Sequence, residues 1–216
     1  MIKVAPSILS ADFAILGQEI ADVKKAGAEY LHVDVMDGVF VPNISVGIPV
    51  VQSIRRATDM VLDVHLMITE PLRYVEAFLR AGADILVFHL EAEKPGNIRE
   101  AIGQVKAQGR GAGLSIKPKT PAGALAPYIG DLDMVLIMTV EPGFGNQKFM
   151  ADQLPKIRET RALIQGYNPR CELSVDGGID SETSPLVREA GANVLVAGSS
   201  IFGKADRAAA IAALRD

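Results

Sequence analysis

All three histidines in this chain close short apolar runs that read as strands. His32 lies in Leu31-His32-Val33-Asp34-Val35, His65 follows Val61-Leu62-Asp63-Val64, and His89 follows Ile85-Leu86-Val87-Phe88. A fourth run, Leu173-Ser174-Val175, ends on Asp176 and is followed by Gly177 and Gly178. Side chains two apart on a strand share a face, so His32 and Asp34 point the same way. Gathered at one rim, His32, Asp34, His65 and Asp176 would offer two imidazoles and two carboxylates. That donor set suits one divalent ion: zinc, iron(II), manganese or cobalt. Each residue alone has a plainer reading. His32-x-Asp34 is also a hydrogen-bonded pair at a strand end, His65 an interior histidine, and Asp176 a turn residue. The metal reading rests on all four reaching one rim. His89 shares the rim and is expected to orient a ligand residue, contact Glu91 or cap its strand, outside the ligand set.

A second chemistry is written in glycine. Pro142-Gly143-Phe144-Gly145-Asn146-Gln147, Asp176-Gly177-Gly178 and Gly198-Ser199-Ser200 follow late strands. Glycine lets backbone amides approach an anion closely, and a following helix start adds partial positive charge. The second and third segments therefore point to a phosphorylated ligand, with the first as a flexible cover. The lead-in Thr139-Val140-Glu141-Pro142 is too polar to read as core. Met36, Met67 and Met138 fall at strand ends. They read either as core packing or as a lining that keeps a cavity poor in water.

Positioning these residues requires a repeated scaffold. Strand-like runs fall near 3–7, 30–35, 61–66, 84–89, 111–116, 133–138, 172–176 and 194–198. Helical stretches fall near 13–26, 47–57, 71–81, 96–108, 121–127, 153–165, 181–190 and 204–214. Ala26-Gly27-Ala28, Ala81-Gly82-Ala83 and Ala190-Gly191-Ala192 each separate a helix from a strand, with glycine as the helix stop. Thr69 before Pro71, Thr120 before Pro121, and Ser181 read as helix starts. Eight βα units without a linker predict a single α/β domain over residues 1–216, a (β/α)8 TIM barrel. A doubly wound open sheet is the alternative. In such a barrel chemistry sits at the carboxyl ends of the strands, where the polar residues above fall.

Composition narrows the class. At 216 residues and 49% apolar, the chain can bury one sizeable core. A net charge of −4 argues against a broad nucleic-acid or anionic-membrane surface. The single cysteine, Cys171, fits a reducing compartment. No charged leader precedes Ile2-Lys3-Val4, and no apolar run approaches the ~18 residues of a membrane span. The expectation is a cytoplasmic enzyme or binding protein with no nucleic-acid or membrane partner.

Taken together, these stretches resemble the ribulose-phosphate 3-epimerase family. The resemblance runs nearly end to end: Ala5-Pro6-Ser7-Ile8-Leu9-Ser10-Ala11-Asp12, His32-Val33-Asp34-Val35-Met36-Asp37-Gly38-Val39-Phe40-Val41-Pro42-Asn43, Asp63-Val64-His65-Leu66-Met67, Val140-Glu141-Pro142-Gly143-Phe144-Gly145, Val175-Asp176-Gly177-Gly178-Ile179 and Val196-Ala197-Gly198-Ser199. It implies a barrel of the ribulose-phosphate-binding type. The implied activity interconverts D-ribulose 5-phosphate and D-xylulose 5-phosphate, a step of the pentose phosphate pathway. Carried over, His32, Asp34, His65 and Asp176 hold one divalent metal per subunit, and Asp34 and Asp176 form the acid–base pair that inverts C3 through an enediolate. Ser7, His65, Gly143, Phe144, Gly145, Asn146, Asp176, Gly177, Gly178, Gly198 and Ser199 contact the ketose phosphate. The resemblance also implies a homo-oligomer. One position departs from it: the family usually has glycine where Asn146 stands.

Three rivals are weighed. An epimerase of the same family could take another ketose phosphate, such as allulose 6-phosphate. A phosphate-binding barrel decarboxylase would carry Asp-x-Lys-x-x-Asp on the third strand, whereas this chain reads Asp63-Val64-His65-Leu66-Met67-Ile68. A non-catalytic metal- or sugar-phosphate-binding protein would not need both Asp34 and Asp176.

Overall fold

The computed structural model describes residues Met1–Asp216. Eight strands form one parallel sheet: β1 Lys3–Pro6, β2 Tyr30–Met36, β3 Val61–Met67, β4 Ile85–His89, β5 Gly111–Ile116, β6 Met134–Met138, β7 Glu172–Asp176 and β8 Val194–Ala197. They pair in the order β1-β8-β7-β6-β5-β4-β3-β2. The two ends of that order meet where Ser7 bridges His32 in parallel and Glu29 N–H donates to Val4 O at 3.2 Å. The sheet therefore curls into a nearly closed barrel. Around it lie α1 Leu16–Lys25, α2 Ile48–Ala57, α3 Val75–Ala81, α4 Pro95–Ala107, α5 Leu154–Tyr167, α6 Ser184–Glu189, α7 Ser199–Phe202 and α8 Arg207–Ala213.

The period of two along each strand divides the core. Leu31, Val33 and Val35 of β2, Leu62, Val64 and Leu66 of β3, and Leu86 and Phe88 of β4 point outward into a 49-residue apolar layer beneath the helices. Strands buried on both faces in this way are near-continuously apolar, as these are. Truncating Phe88, which is fully buried there, to alanine would cost about 3–5 kcal/mol. The alternate residues fill the barrel. Ala5, Tyr30, Val87, Met134, Leu136, Met138, Val194 and Val196 pack in a smaller interior cluster. At the amino-terminal mouth, Tyr30 OH donates to Glu172 Oε2 at 2.8 Å and Lys3 Nζ bonds both residues, so charge is paired where the barrel is plugged.

The three Ala-Gly-Ala stops behave as expected: Gly27, Gly82 and Gly191 take φ of 87°, 113° and 111°. Several boundaries differ from expectation. The segment expected as a helix over 121–127 is only a short 3-10 turn, Ala122–Leu125, between prolines and glycines that deny it a longer hydrogen-bonded run. The helix expected over 204–214 is α8, opened by the Asp206 side chain capping Ala209 N–H, and a separate short helix, α7, precedes it. Thr69, Thr120 and Ser181 do not cap. Glu70, Pro121 and Thr183 occupy the positions before the respective helical turns, without side-chain cap bonds.

Candidate active site

Strand register brings the four ligand candidates together. β2 lies against β3 with His32 beside Asp63 and Asp34 beside His65. β7 ends on Asp176 beside Met138 of β6. One donor atom from each of His32, Asp34, His65 and Asp176 lies within 4.8 Å of the others. His32 and His65 are fully buried, Asp34 is nearly so, and Asp176 is partly open.

The bonding around this cluster fits a cation. His32 Nδ1 lies 2.7 Å from Asp63 Oδ2, a carboxylate that can only accept, so the ring hydrogen sits on Nδ1. This leaves the lone pair on Nε2. That atom is buried without a hydrogen-bond partner and lies 3.2 Å from Asp34 Oδ1, another acceptor. His65 Nδ1 is also 3.2 Å from Asp34 Oδ1. Asp34 Oδ2 is held separately by the Ser7 hydroxyl at 2.6 Å. Acceptors facing one another in a buried space require positive charge between them. The imidazole and carboxylate set matches a divalent transition metal, and its size and composition do not choose among zinc, iron(II), manganese and cobalt.

Electrostatics separates the two carboxylates. Burial would raise Asp34, but the His32 charge and bonds from His32 and His65 outweigh it and hold the carboxyl far below its usual range. Burial and then the Asp34 charge push Asp176 up to about 7. Burial likewise opposes charge on His32, yet Asp34 and Asp63 raise it well above the ordinary histidine value. In the metal-free protein a proton thus serves as the cation that the cluster requires. Burial lowers His65.

Above the cluster opens a cavity of about 1130 Å³. Ser7, Met36, Met67, Met138, Gly143, Phe144, Gly145, Asn146, Gly177, Gly178, Gly198 and Ser199 all line it, with Asp34 and Asp176 at its base. His65, expected also to touch substrate, is fully buried and is not among the lining residues. Met36 and Met67 pack with Val41 as a small apolar cluster beside the aspartates.

The glycine segments are tightly built. A Cβ on Gly178, whose φ is +66°, would lie 2.5 Å from Phe149 N, so the close approach there admits glycine only. The loop after β6 carries side-chain hydrogen bonds at both ends. Asn43 Nδ2 donates to Gly143 O at 2.8 Å, and Gln147 Nε2 donates to Glu141 O at 2.7 Å and Phe144 O at 2.8 Å. Asn146 takes φ of 57°, and its Oδ1 lies 3.5 Å from the Ser199 hydroxyl that donates to it. Thr139 and Val140, expected outside the core, are buried. Thr139 Oγ1 donates to Asp176 O at 2.9 Å and Gly177 O at 2.7 Å, which satisfies its polarity and fixes the end of β7.

Two functional neighbours escaped the sequence reading. Asp63 orients His32, and the available signal was a carboxylate two residues before His65 on the same inward face. Ser10 lines the cavity beside Gly198, where no local pattern marks it.

Comparison with known proteins places these features in a family. Residues 3–202 match the family described as "Ribulose-phosphate 3 epimerase family". A Bacillus subtilis protein named ribulose-phosphate 3-epimerase is 54% identical over 216 residues, covering 100% of this chain and 99% of its own length. A Synechocystis protein of the same name is 48% identical, with 100% and 94% covered. A rice protein named as the cytoplasmic isoform is 46% identical, with 99% and 92% covered. Among solved structures, 3-keto-L-gulonate-6-phosphate decarboxylase from Vibrio cholerae superposes with a TM-score of 0.69 at 18% identity, covering 100% of this chain and 95% of its own. At that identity the likeness concerns the fold alone. With its sequence matched nearly throughout and its strand-end cluster in place, the chain belongs to the ribulose-phosphate 3-epimerase family.

Proposed function

We propose that the protein is an isomerase interconverting D-ribulose 5-phosphate and D-xylulose 5-phosphate by two-base proton transfer at C3. The observation that carries this reading is two carboxylates on separate strands, Asp34 of β2 and Asp176 of β7, at the base of one cavity; burial and neighbouring charge push their proton affinities apart, Asp34 down and Asp176 up. Paired acids whose environments separate their proton affinities are the pattern expected of a base and an acid. In one direction Asp34 takes the C3 proton from one face of the sugar. Asp176 delivers a proton to the opposite face, and C3 is inverted. The reverse reaction exchanges their roles. His32, Asp34, His65 and Asp176 would hold a divalent ion, which would supply positive charge to the substrate oxygens as negative charge develops on them. Ser7 holds Asp34 through Oδ2 and leaves Oδ1 turned to the histidines. Met36, Met67 and Met138 keep water from the reacting carbon. Gly177, Gly178, Gly198 and Ser199, with Gly143, Phe144, Gly145 and Asn146 across the cavity, take the phosphate end and the rest of the chain of carbons.

The names of the full-length relatives support the substrate, and that of the rice relative supports a cytoplasmic setting. No helix is long and apolar enough to cross a membrane. Family analogy supports a homo-oligomer, which light scattering would measure. The deciding experiment is a coupled assay for xylulose 5-phosphate formed from ribulose 5-phosphate, with allulose 6-phosphate as competitor. Efficient turnover of the pentose phosphate is expected. Preference for the hexose phosphate would move the substrate assignment, and turnover of neither would overturn the enzyme reading.

A further inference from the structure

The two histidines at the metal cluster are supported differently. His32 reaches its carboxylate, Asp63, directly. His65 has no carboxylate beside its outer nitrogen. Its Nε2 lies 2.9 Å from Nε2 of His89, and His89 Nδ1 lies 3.3 Å from Glu91 Oε2. The His65 and His89 ring centroids are 5.0 Å apart, so the rings meet through their nitrogens and do not lie face on face. Both rings are fully buried, and Phe40 covers His89 with a centroid separation of 4.9 Å.

Proton counting orders this row. Two ring nitrogens at 2.9 Å share one hydrogen, so one of them accepts. A carboxylate only accepts, so His89 Nδ1 must carry hydrogen to face Glu91. In a neutral His89 the accepting atom is then Nε2, and His65 Nε2 must donate to it. In a neutral His65 this puts the lone pair on Nδ1, 3.2 Å from Asp34 Oδ1, so in the metal-free protein Asp34 competes with Glu91 for the hydrogens of the row, whereas a cation at Nδ1 settles it in favour of Glu91. Glu91 is itself fixed. Its Oε1 accepts from Lys117 N–H at 2.8 Å and from the Thr120 hydroxyl, both in the segment after β5.

We propose that His89 and Glu91 are positioning residues that lock His65 in the tautomer presenting Nδ1 to the metal. The proposal rests on the metal site put forward above, and it holds that Glu91 prevails over Asp34 even without metal, which makes the tautomer testable in the metal-free chain. Substituting the carboxylate should reverse the row. In Glu91→Gln the carbonyl oxygen stays with Lys117 N–H, which needs an acceptor. The amide NH2 then takes the place of Oε2 and donates to His89 Nδ1. His89 must turn its hydrogen to Nε2, and His65 must accept there and carry hydrogen on Nδ1, where it blocks a metal.

The test uses the full chain with 15N-labelled histidine. Its three histidines make ring assignment tractable. In metal-free wild type, ring 15N–1H correlation spectra should show His65 with hydrogen on Nε2. In Glu91→Gln they should show it on Nδ1. Zinc affinity, measured against a chromophoric chelator, should fall about tenfold or more in Glu91→Gln and His89→Phe. His89→Gln, whose amide can accept from His65 and donate to Glu91, should recover most of it. A wild-type His65 with hydrogen on Nδ1, or an unchanged tautomer in folded Glu91→Gln, would overturn the relay. Wild-type protein that binds no zinc while showing the expected tautomers would instead overturn the metal reading and leave the relay standing. If Glu91→Gln failed to fold, the wild-type spectrum would still decide the tautomer.

Discussion

Ser7 Oγ donates to Asp34 Oδ2 at 2.6 Å across the seam where β1 meets β2, and both residues are buried. This bond joins barrel closure to the chemistry. β1 and β2 each pair with their other neighbour through a regular ladder, while the seam between them is held by the Ser7–His32 bridge and by Glu29, whose N–H donates to Val4 O and whose carboxylate accepts from Val4 N–H. A hydrogen bond to a buried carboxylate is therefore a large part of what aligns Asp34. Ser7→Ala should lower stability by about 1.5–3 kcal/mol in urea melts and reduce turnover. A loss well under ~0.5 kcal/mol would show that the seam does not depend on it.

Metal binding should compete with protons. His32 and Asp176 both hold protons more tightly in the folded, metal-free chain than they would unfolded. Their contribution to stability is present at low pH and is lost as pH rises, for Asp176 from its ordinary value of 3.8 through about 7. Metal-free protein should thus melt at lower temperature at about pH 8 than at about pH 6, and zinc should reverse that trend. Affinity should rise by about tenfold per pH unit for each proton displaced. Calorimetry in buffers of different ionisation enthalpy would detect the released protons, and their absence would rule out displacement. Chelation should abolish activity, a divalent ion should restore it, and His32→Ala and His65→Ala should each weaken retention. Full activity in protein proven metal-free would end the metal reading.

Two bases leave an isotopic record. In heavy water the product should carry solvent deuterium at C3, because the returning proton comes from a different, exchangeable carboxyl group. Asp34→Asn and Asp176→Asn should each block inversion, while one of them retains exchange at C3 of a single epimer. Both positions are also proposed ligands, so metal content must be measured in each variant. Retention of the original C3 hydrogen over a single turnover would identify one shuttling base instead.

Asn146 holds a left-handed conformation and meets Ser199 across the cavity rim. Glycine adopts that backbone freely, so Asn146→Gly should keep the fold and change KM or kcat only a few-fold, the weak Ser199 contact being lost. Asn146→Val should do worse, since a β-branched residue at φ of 57° is strained by about 1–2 kcal/mol. Equal behaviour of the two variants would show that the loop re-forms without the left-handed turn.

Much of this protein can be read along the chain. Alternation along β2, β3 and β7 places His32, Asp34, His65 and Asp176 at strand ends on inward faces, because side-chain direction in a strand follows from position alone. The Ala-Gly-Ala stops are equally local, since glycine's conformational freedom needs no distant partner. What only the tertiary structure decided is pairing between segments far apart in sequence. That Asp63 serves His32 follows from the register of β3 on β2, and that Glu91 is fixed by Lys117 and Thr120 follows from β5 lying beside β4. Side-chain direction is a property of one strand, whereas the partner of a buried polar atom is settled by which strand lies next to it and in what register.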